Sequence, residues 1–124
     1  MKLLLDTHAA LWWLAADARL GAGADRALSD DTNRVLLSAA VVWEVAIKRS
    51  LGKLKAPTGL AATLVGAGAQ PLPITLDHAA AVESLPRHHR DPFDRMLVAQ
   101  ALTEGATIVS QDNDLAKYGI SLVW

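Results

Sequence analysis

Four acidic residues, Asp6, Glu44, Asp94 and Asp112, lie far apart in the chain, yet each sits beside an apolar run. Desolvating an unpaired carboxylate is costly, so acids in such settings are paired, neutralised or bound to a metal. Drawn together, these four would make a hard oxygen donor set suited to Mg²⁺ or Mn²⁺. The chain has no cysteine, which removes thiolate zinc and iron–sulfur sites from consideration. One or two bound cations could activate a water and stabilise the leaving oxygen during in-line attack on a phosphodiester. Without a cation, the cluster would repel itself and raise the pKa of at least one member.

Each acid also has a plainer reading. Asp6 follows Leu3-Leu4-Leu5 and precedes Thr7, so either Asp6 or Thr7 could cap the next helix. Glu44 is flanked by Val41-Val42-Trp43 and Val45-Ala46-Ile47, and could pair with Lys48 one helical turn on. Asp91-Pro92 reads as an N-cap before a first-turn proline, which puts Asp94 at the capping-box position. Asp112 and Asp114 flank Asn113 in what would be an ordinary turn. The functional reading rests on the set rather than on any one member. His8, His78, His88 and His89 read as capping, surface or phosphate-contacting residues, and none is assigned as a ligand.

Strand–helix alternation would position these acids. Residues 2–5, 34–38, 72–75, 107–110 and 120–124 read as strands, mostly as continuous apolar runs of the kind covered on both faces of a parallel sheet. Residues 8–16, 24–31, 39–49, 60–66, 76–85 and 92–104 carry helical spacing, with a short last turn at 115–118. Thr7, Ser38 and Thr75 each stand between a strand and a helix, and Gly52, Gly105 and Gly119 fall where helices should stop. The alternation predicts a doubly wound α/β fold with right-handed crossovers. Ligands of such sheets bind beyond the carboxyl ends of the strands, where strand order reverses. If the first and fourth strands are neighbours there, Asp6 and Asp112 face one crevice.

With 124 residues, 52% hydrophobic and 20% charged, and no linker or low-complexity run, one domain over residues 1–124 is expected. No apolar stretch reaches membrane-spanning length, and the run at residues 2–5 leads straight into Asp6. The cytoplasm is the expected compartment. A formal net charge of −1 carries no global signal for polyanion binding. Two local basic clusters exist, Lys48, Arg49, Lys53 and Lys55, and Arg87, His88, His89, Arg90 and Arg95.

Five segments occur in order: Leu3-Leu4-Leu5-Asp6-Thr7-His8, Ser38-Ala39-Ala40-Val41-Val42-Trp43-Glu44-Val45-Ala46-Ile47-Lys48, Leu51-Gly52-Lys53-Leu54, Asp91-Pro92-Phe93-Asp94-Arg95, and Ser110-Gln111-Asp112-Asn113-Asp114. Together they resemble the PIN-domain ribonucleases, specifically the VapC toxins of type II toxin–antitoxin systems. The resemblance implies a three-layer α/β/α fold with a five-stranded parallel sheet, and an endoribonuclease dependent on Mg²⁺ or Mn²⁺. It carries the acidic site onto Asp6, Glu44, Asp94 and Asp112, with Asp6 and Asp94 as direct metal ligands and Ser110, Asp114 and Asp91 in support. It also implies a homodimer and a VapB-like antitoxin laying an apolar helix in a groove, with Trp12, Trp13 and Trp43 as surplus aromatic surface. Arg87, Arg90 and Lys48 are the expected contacts to RNA phosphate. Leu115 stands where an aromatic residue is frequent, and Gln111 where arginine is, departures that touch substrate contacts more than chemistry.

Two other classes fit less well. A catalytically silent PIN-like binding module would gain nothing from holding four like charges together. A phospho-accepting receiver domain would want paired acids at the first strand and an acceptor Asp after the third, whereas Asp6 stands alone and the third run ends in Thr75.

Overall fold

The computed structural model describes residues 1–124. Its strands are β1 (Lys2–Leu5), β2 (Arg34–Ser38), β3 (Gln70–Leu72), β4 (Thr107–Val109) and β5 (Leu122–Val123). They form one sheet in the order β3-β2-β1-β4-β5, with every pairing parallel. Helices α1 (Thr7–Leu14), α2 (Ala22–Ser29), α3 (Ala39–Ser50), α4 (Leu60–Gly66), α5 (Leu76–Ala81) and α6 (Pro92–Glu104) complete an α/β/α arrangement, with 3-10 segments at Val82–Ser84 and Asn113–Tyr118. The expected α/β class and five-stranded parallel sheet are both present.

The central strand explains its own sequence. Leu3, Leu4 and Leu5 have no solvent exposure, because β1 is hydrogen-bonded on both edges and covered on both faces. Strand order reverses at β1, with β2 on one side and β4 on the other, so the crevice of this fold opens beyond β1 and β4. Leu5 pairs with Val109, and the Asp6 N–H donates to the Val109 carbonyl at 3.2 Å. That register sets Asp6 beside Ser110 at the carboxyl ends of adjacent strands.

Several expected bounds move by one or two residues, including those of the first two helices and the fourth strand, and three shifts have a visible cause. The third strand runs over Gln70–Leu72 rather than 72–75; Pro73 has no N–H to extend the ladder, while Pro71 is accommodated on the sheet edge. The expected helix at 76–85 stops at Ala81 and tightens into the 3-10 turn Val82–Ser84. Leu85, ahead of Pro86, is extended and cannot continue the helix, and Arg95 donates to the carbonyls of Val82 (3.2 Å), Leu85 (3.4 Å) and Pro86 (2.9 Å), acceptors at the helix end. The last strand shortens to Leu122–Val123, and the Trp124 backbone lies so close to α2 that a Cβ on Gly23 would sit 2.3 Å from its carbonyl oxygen.

A buried polar network joins the helices that carry the acids. Ser38 caps α3 and donates its hydroxyl proton to the Gln100 side-chain carbonyl in the middle of α6. The Gln100 amide reaches the Pro73 carbonyl at 3.4 Å, and His78, buried beside it, accepts from the Thr75 N–H at 3.1 Å and meets Glu104 at 3.0 Å. No buried side-chain nitrogen or oxygen lacks a partner. The network costs little because it is complete, and it holds α3 and α6 at a fixed spacing. No helix is long and apolar enough to cross a membrane.

Candidate active site

Asp6, Glu44, Asp94 and Asp112 line one crevice of about 370 Å³ beyond the carboxyl ends of β1 and β4. Thr7, His8, Lys48, Asp91, Ser110 and Gln111 complete its polar wall, and Leu11, Leu54 and Leu115 its apolar one. The elements supply the acids separately: Asp6 from the β1–α1 turn, Glu44 from the middle of α3, Asp94 from the first turn of α6, and Asp112 from the turn after β4.

Capping and convergence turn out to coexist. Asp6, not Thr7, is the N-cap of α1, its Oδ1 accepting from the Ala9 N–H at 2.8 Å. Asp91 caps α6, with Oδ1 taking the N–H groups of Phe93 (2.8 Å) and Asp94 (3.3 Å), and Asp112 caps the Asn113–Tyr118 turn through the Asp114 N–H at 3.0 Å. Three helical N-termini therefore border the crevice, each a favourable setting for negative charge. A cap uses one carboxylate oxygen and leaves the other for the crevice at Asp6 and Asp91.

Glu44 likewise satisfies both of its readings. Only 7% of it is exposed, and it forms the expected ion pair with Lys48 at 2.8 Å. Thr7, displaced from capping, donates its hydroxyl to Glu44 Oε1. Both oxygens of this carboxylate are thus held, one by a neutral donor and one by a cation. Lys48 is in turn held protonated above its usual range, chiefly by its hydrogen bond to Glu44.

Burial first, and like charge second, raises two of the four acids. Burial pushes the Asp94 carboxyl up to about 6, reinforced by Asp91, Glu44 and Asp112, with His89 opposing. Burial also raises Asp6, against the Ser110 hydroxyl, the Ala9 N–H and His8, and Asp112 adds to the rise. Carboxyls so shifted regain their ordinary acidity when a cation enters. The donor set, carboxylate oxygens with the imidazoles of His8 and His89 beside them, fits a hard divalent ion.

Not every expected member stands inside. Ser110 is buried and accepts the Asp112 N–H at 3.1 Å, beside Asp6. Asp114 is exposed, pairs with Lys117 at 3.2 Å and does not line the crevice. Arg87 and Arg90 lie outside it, around an adjoining cavity of about 790 Å³ that also takes in His89 and Arg95. The sequence placed His89 in a basic loop, as a phosphate contact or a solvated residue, and gave it no part in the acidic site. The structure sets its Nε2 2.9 Å from Asp112 Oδ2 and its Nδ1 3.1 Å from the Tyr118 hydroxyl, and its ring nitrogen, Asp94 and Asp112 present ligand atoms within 4.8 Å of one another. Nothing in helical or strand periodicity marks a loop histidine; proximity to Asp94 in the sequence was the one available hint. Of the tryptophans, Trp43 is 59% exposed with Phe93 edge-on to it, whereas Trp12 is half-buried between His8, Arg19 and Trp124.

The sequence profile of the PIN domain matches residues 3–120, and the chain belongs to that family. In fold it is similar to VapBC2 from Rickettsia felis, in a structure bound to a DNA fragment from the promoter, at 14% identity and TM-score 0.72, covering 98% of this chain and 97% of that one. Mycobacterium tuberculosis VapC20, described as a sarcin-ricin loop cleaving toxin, matches at 25% identity and TM-score 0.67 over 95% of each chain. DNA-bound VapBC from Salmonella typhimurium matches at 16% identity and TM-score 0.70, over 98% and 96%. No curated protein sequence matches closely enough to count as a relative.

Proposed function

We propose that residues 1–124 act as one PIN unit, the toxin of a type II toxin–antitoxin pair, and that its activity is divalent-metal-dependent endoribonucleolytic cleavage. The observation that carries this reading is the convergence of Asp6, Glu44, Asp94 and Asp112 on one crevice, where burial and mutual repulsion hold Asp6 and Asp94 above their ordinary range. The likeness to a toxin described as cleaving the sarcin-ricin loop supports RNA as the substrate class.

Asp6 and Asp94 would hold the Mg²⁺ or Mn²⁺ directly, with Glu44 and Asp112 closing the set. When bound, the ion supplies Lewis acidity and the positive charge that the cluster lacks. The chain's own residues do the positioning. Thr7 and Lys48 fix the Glu44 carboxylate, Asp91 anchors the turn that presents Asp94, and Ser110 holds the backbone of Asp112. Leu11, Leu54 and Leu115 form an apolar wall, which strengthens the charge interactions it borders.

Arg87 and Arg90 would bind RNA phosphate beside the crevice, with Lys48 at its rim. Replacing both arginines with alanine is expected to flatten the dependence of log affinity on log salt by about 0.7 for each phosphate left without its cation. Filter binding across a salt series reads this directly, and an unchanged slope would remove the two residues from the interface. A VapB-like antitoxin and a second copy of the chain are the proposed partners, with exposed Trp43 available as apolar surface for them, and the cytoplasm is the proposed compartment.

The deciding experiment is incubation of purified, antitoxin-free protein with total RNA in Mg²⁺, Mn²⁺ or EDTA. Discrete products that form with metal and disappear in EDTA are expected. Cleavage that persists in EDTA, or a folded protein that neither binds metal nor cuts, would overturn the reading.

A further inference from the structure

We propose that His89 is a positioning residue of the acidic site: its Nε2 donates to Asp112 Oδ2 and fixes that carboxylate at the crevice, where it would help hold the metal, while Tyr118 sets the orientation of the ring. This inference rests on the metal-dependent reading above.

The need for such a residue follows from exposure. The Asp112 side chain is 43% exposed, the His89 side chain only 12%. An exposed carboxylate on a turn rotates freely, and ordering it on metal binding would cost affinity. Here its freedom is removed in advance. Oδ1 takes the Asp114 N–H at 3.0 Å, Oδ2 lies 2.9 Å from His89 Nε2, and the Asp112 N–H is held by Ser110 Oγ at 3.1 Å. His89 is the one side-chain hydrogen-bond partner of that carboxylate, and it comes from a loop far away in sequence.

The hydrogen bonds also set the tautomer. An ionised carboxylate only accepts, so Nε2 carries the proton facing Asp112. In the neutral ring Nδ1 is then bare and accepts from the Tyr118 hydroxyl, 3.1 Å away. Tyr118 is itself buried, with the His88 ring edge-on to it at 4.8 Å between centroids. Asp112 caps the start of the 3-10 segment and Tyr118 ends it, so His89 spans both ends of one turn. The Tyr118–His89–Asp112 chain thus hands the rigidity of the core to a carboxylate at the crevice, as imidazole–carboxylate pairs do around metal centres.

The plainer alternatives are that His89 only braces its loop, or that its nitrogen is itself a metal ligand. Glutamine places an amide N–H where Nε2 stands, and asparagine one where Nδ1 stands, so the two substitutions separate donation to Asp112 from everything else. The full chain is compared as wild type, His89→Ala, His89→Asn, His89→Gln and Tyr118→Phe, by Mn²⁺ titration calorimetry, single-turnover RNA cleavage and melting in EDTA. His89→Ala and His89→Asn are expected to weaken Mn²⁺ binding about 10- to 100-fold and slow cleavage in step, with His89→Gln staying within about threefold of wild type. Tyr118→Phe keeps the ring packing and is expected to weaken Mn²⁺ binding several-fold, which preserves the test if a His89 variant folds poorly. Wild-type Mn²⁺ affinity in His89→Ala would overturn the proposal alone. A His89→Gln loss as large as that of His89→Ala would overturn it in favour of a ligating imidazole. A folded wild type that binds no Mn²⁺ would overturn the metal reading and this inference with it.

Discussion

Asp94→Asn is expected to lower RNA cleavage by about 10³-fold while making the metal-free protein more stable, not less. The substitution keeps the size of the side chain and removes its charge. It therefore deletes a proposed direct ligand from a site whose electrostatic stabilisation of developing charge is the largest catalytic contribution available. Stability moves the other way, because Asp94 is half-buried among Asp91, Glu44 and Asp112 and its carboxyl is raised from 3.8 to about 6. A raised acid binds its proton more tightly folded than unfolded, so stability falls as pH rises from 3.8 to about 6, and the full penalty remains above that window. Asparagine carries no such penalty. In EDTA, the melting advantage of the variant should be near zero at about pH 4 and complete by about pH 7, with solvent screening limiting it to roughly 1 kcal/mol. A variant that melts well below wild type at neutral pH would contradict the electrostatic account, and one that still cleaves would remove Asp94 from the site.

Ile108→Ala is expected to cost about 3 kcal/mol and to lower the melting temperature by roughly 10 °C. Ile108 has no solvent exposure and stands in β4 between Leu4 of β1 and Leu122 of β5. Removing three carbons there opens a cavity under the point where strand order reverses, and neighbours hydrogen-bonded on both sides cannot collapse into it. Cleavage per folded molecule should survive at low temperature, since the acids stand on the strand ends rather than on the side chain removed. A calorimetric fall of less than about 3 °C would show that the sheet relaxes more readily than its packing implies.

Local chemistry was readable where one residue decides one outcome. Ser38 and Thr75 cap α3 and α5 as their types dictate, Pro92 opens α6, and Gly105 and Gly119 adopt left-handed conformations that end their helical segments. The uninterrupted leucines of β1 announced a strand covered on both faces. Boundaries failed where a distant partner intervened. The expected helix over 76–85 tightens after Ala81 and ends before Pro86, with Arg95 of α6 holding the carbonyls at its end, and of the two candidate caps of α1 Asp6 takes the role while the Thr7 hydroxyl donates to Glu44 on another helix.

The acidic site divides along the same line. Residue type, apolar setting and order along the chain singled out Asp6, Glu44, Asp94 and Asp112; the cost of burying a carboxylate leaves a local trace around Glu44, whereas Asp112, its side chain 43% exposed, is marked only by its place after a strand. Periodicity supplied the parallel α/β layers that carry them. Which strands lie side by side, that Asp114 faces solvent with Lys117, and that His89 bridges Asp112 and Tyr118 were decided only in three dimensions. Strand order and loop packing are set by contacts between residues remote in sequence, and a hydrogen bond from a loop histidine leaves no pattern in the residues beside it.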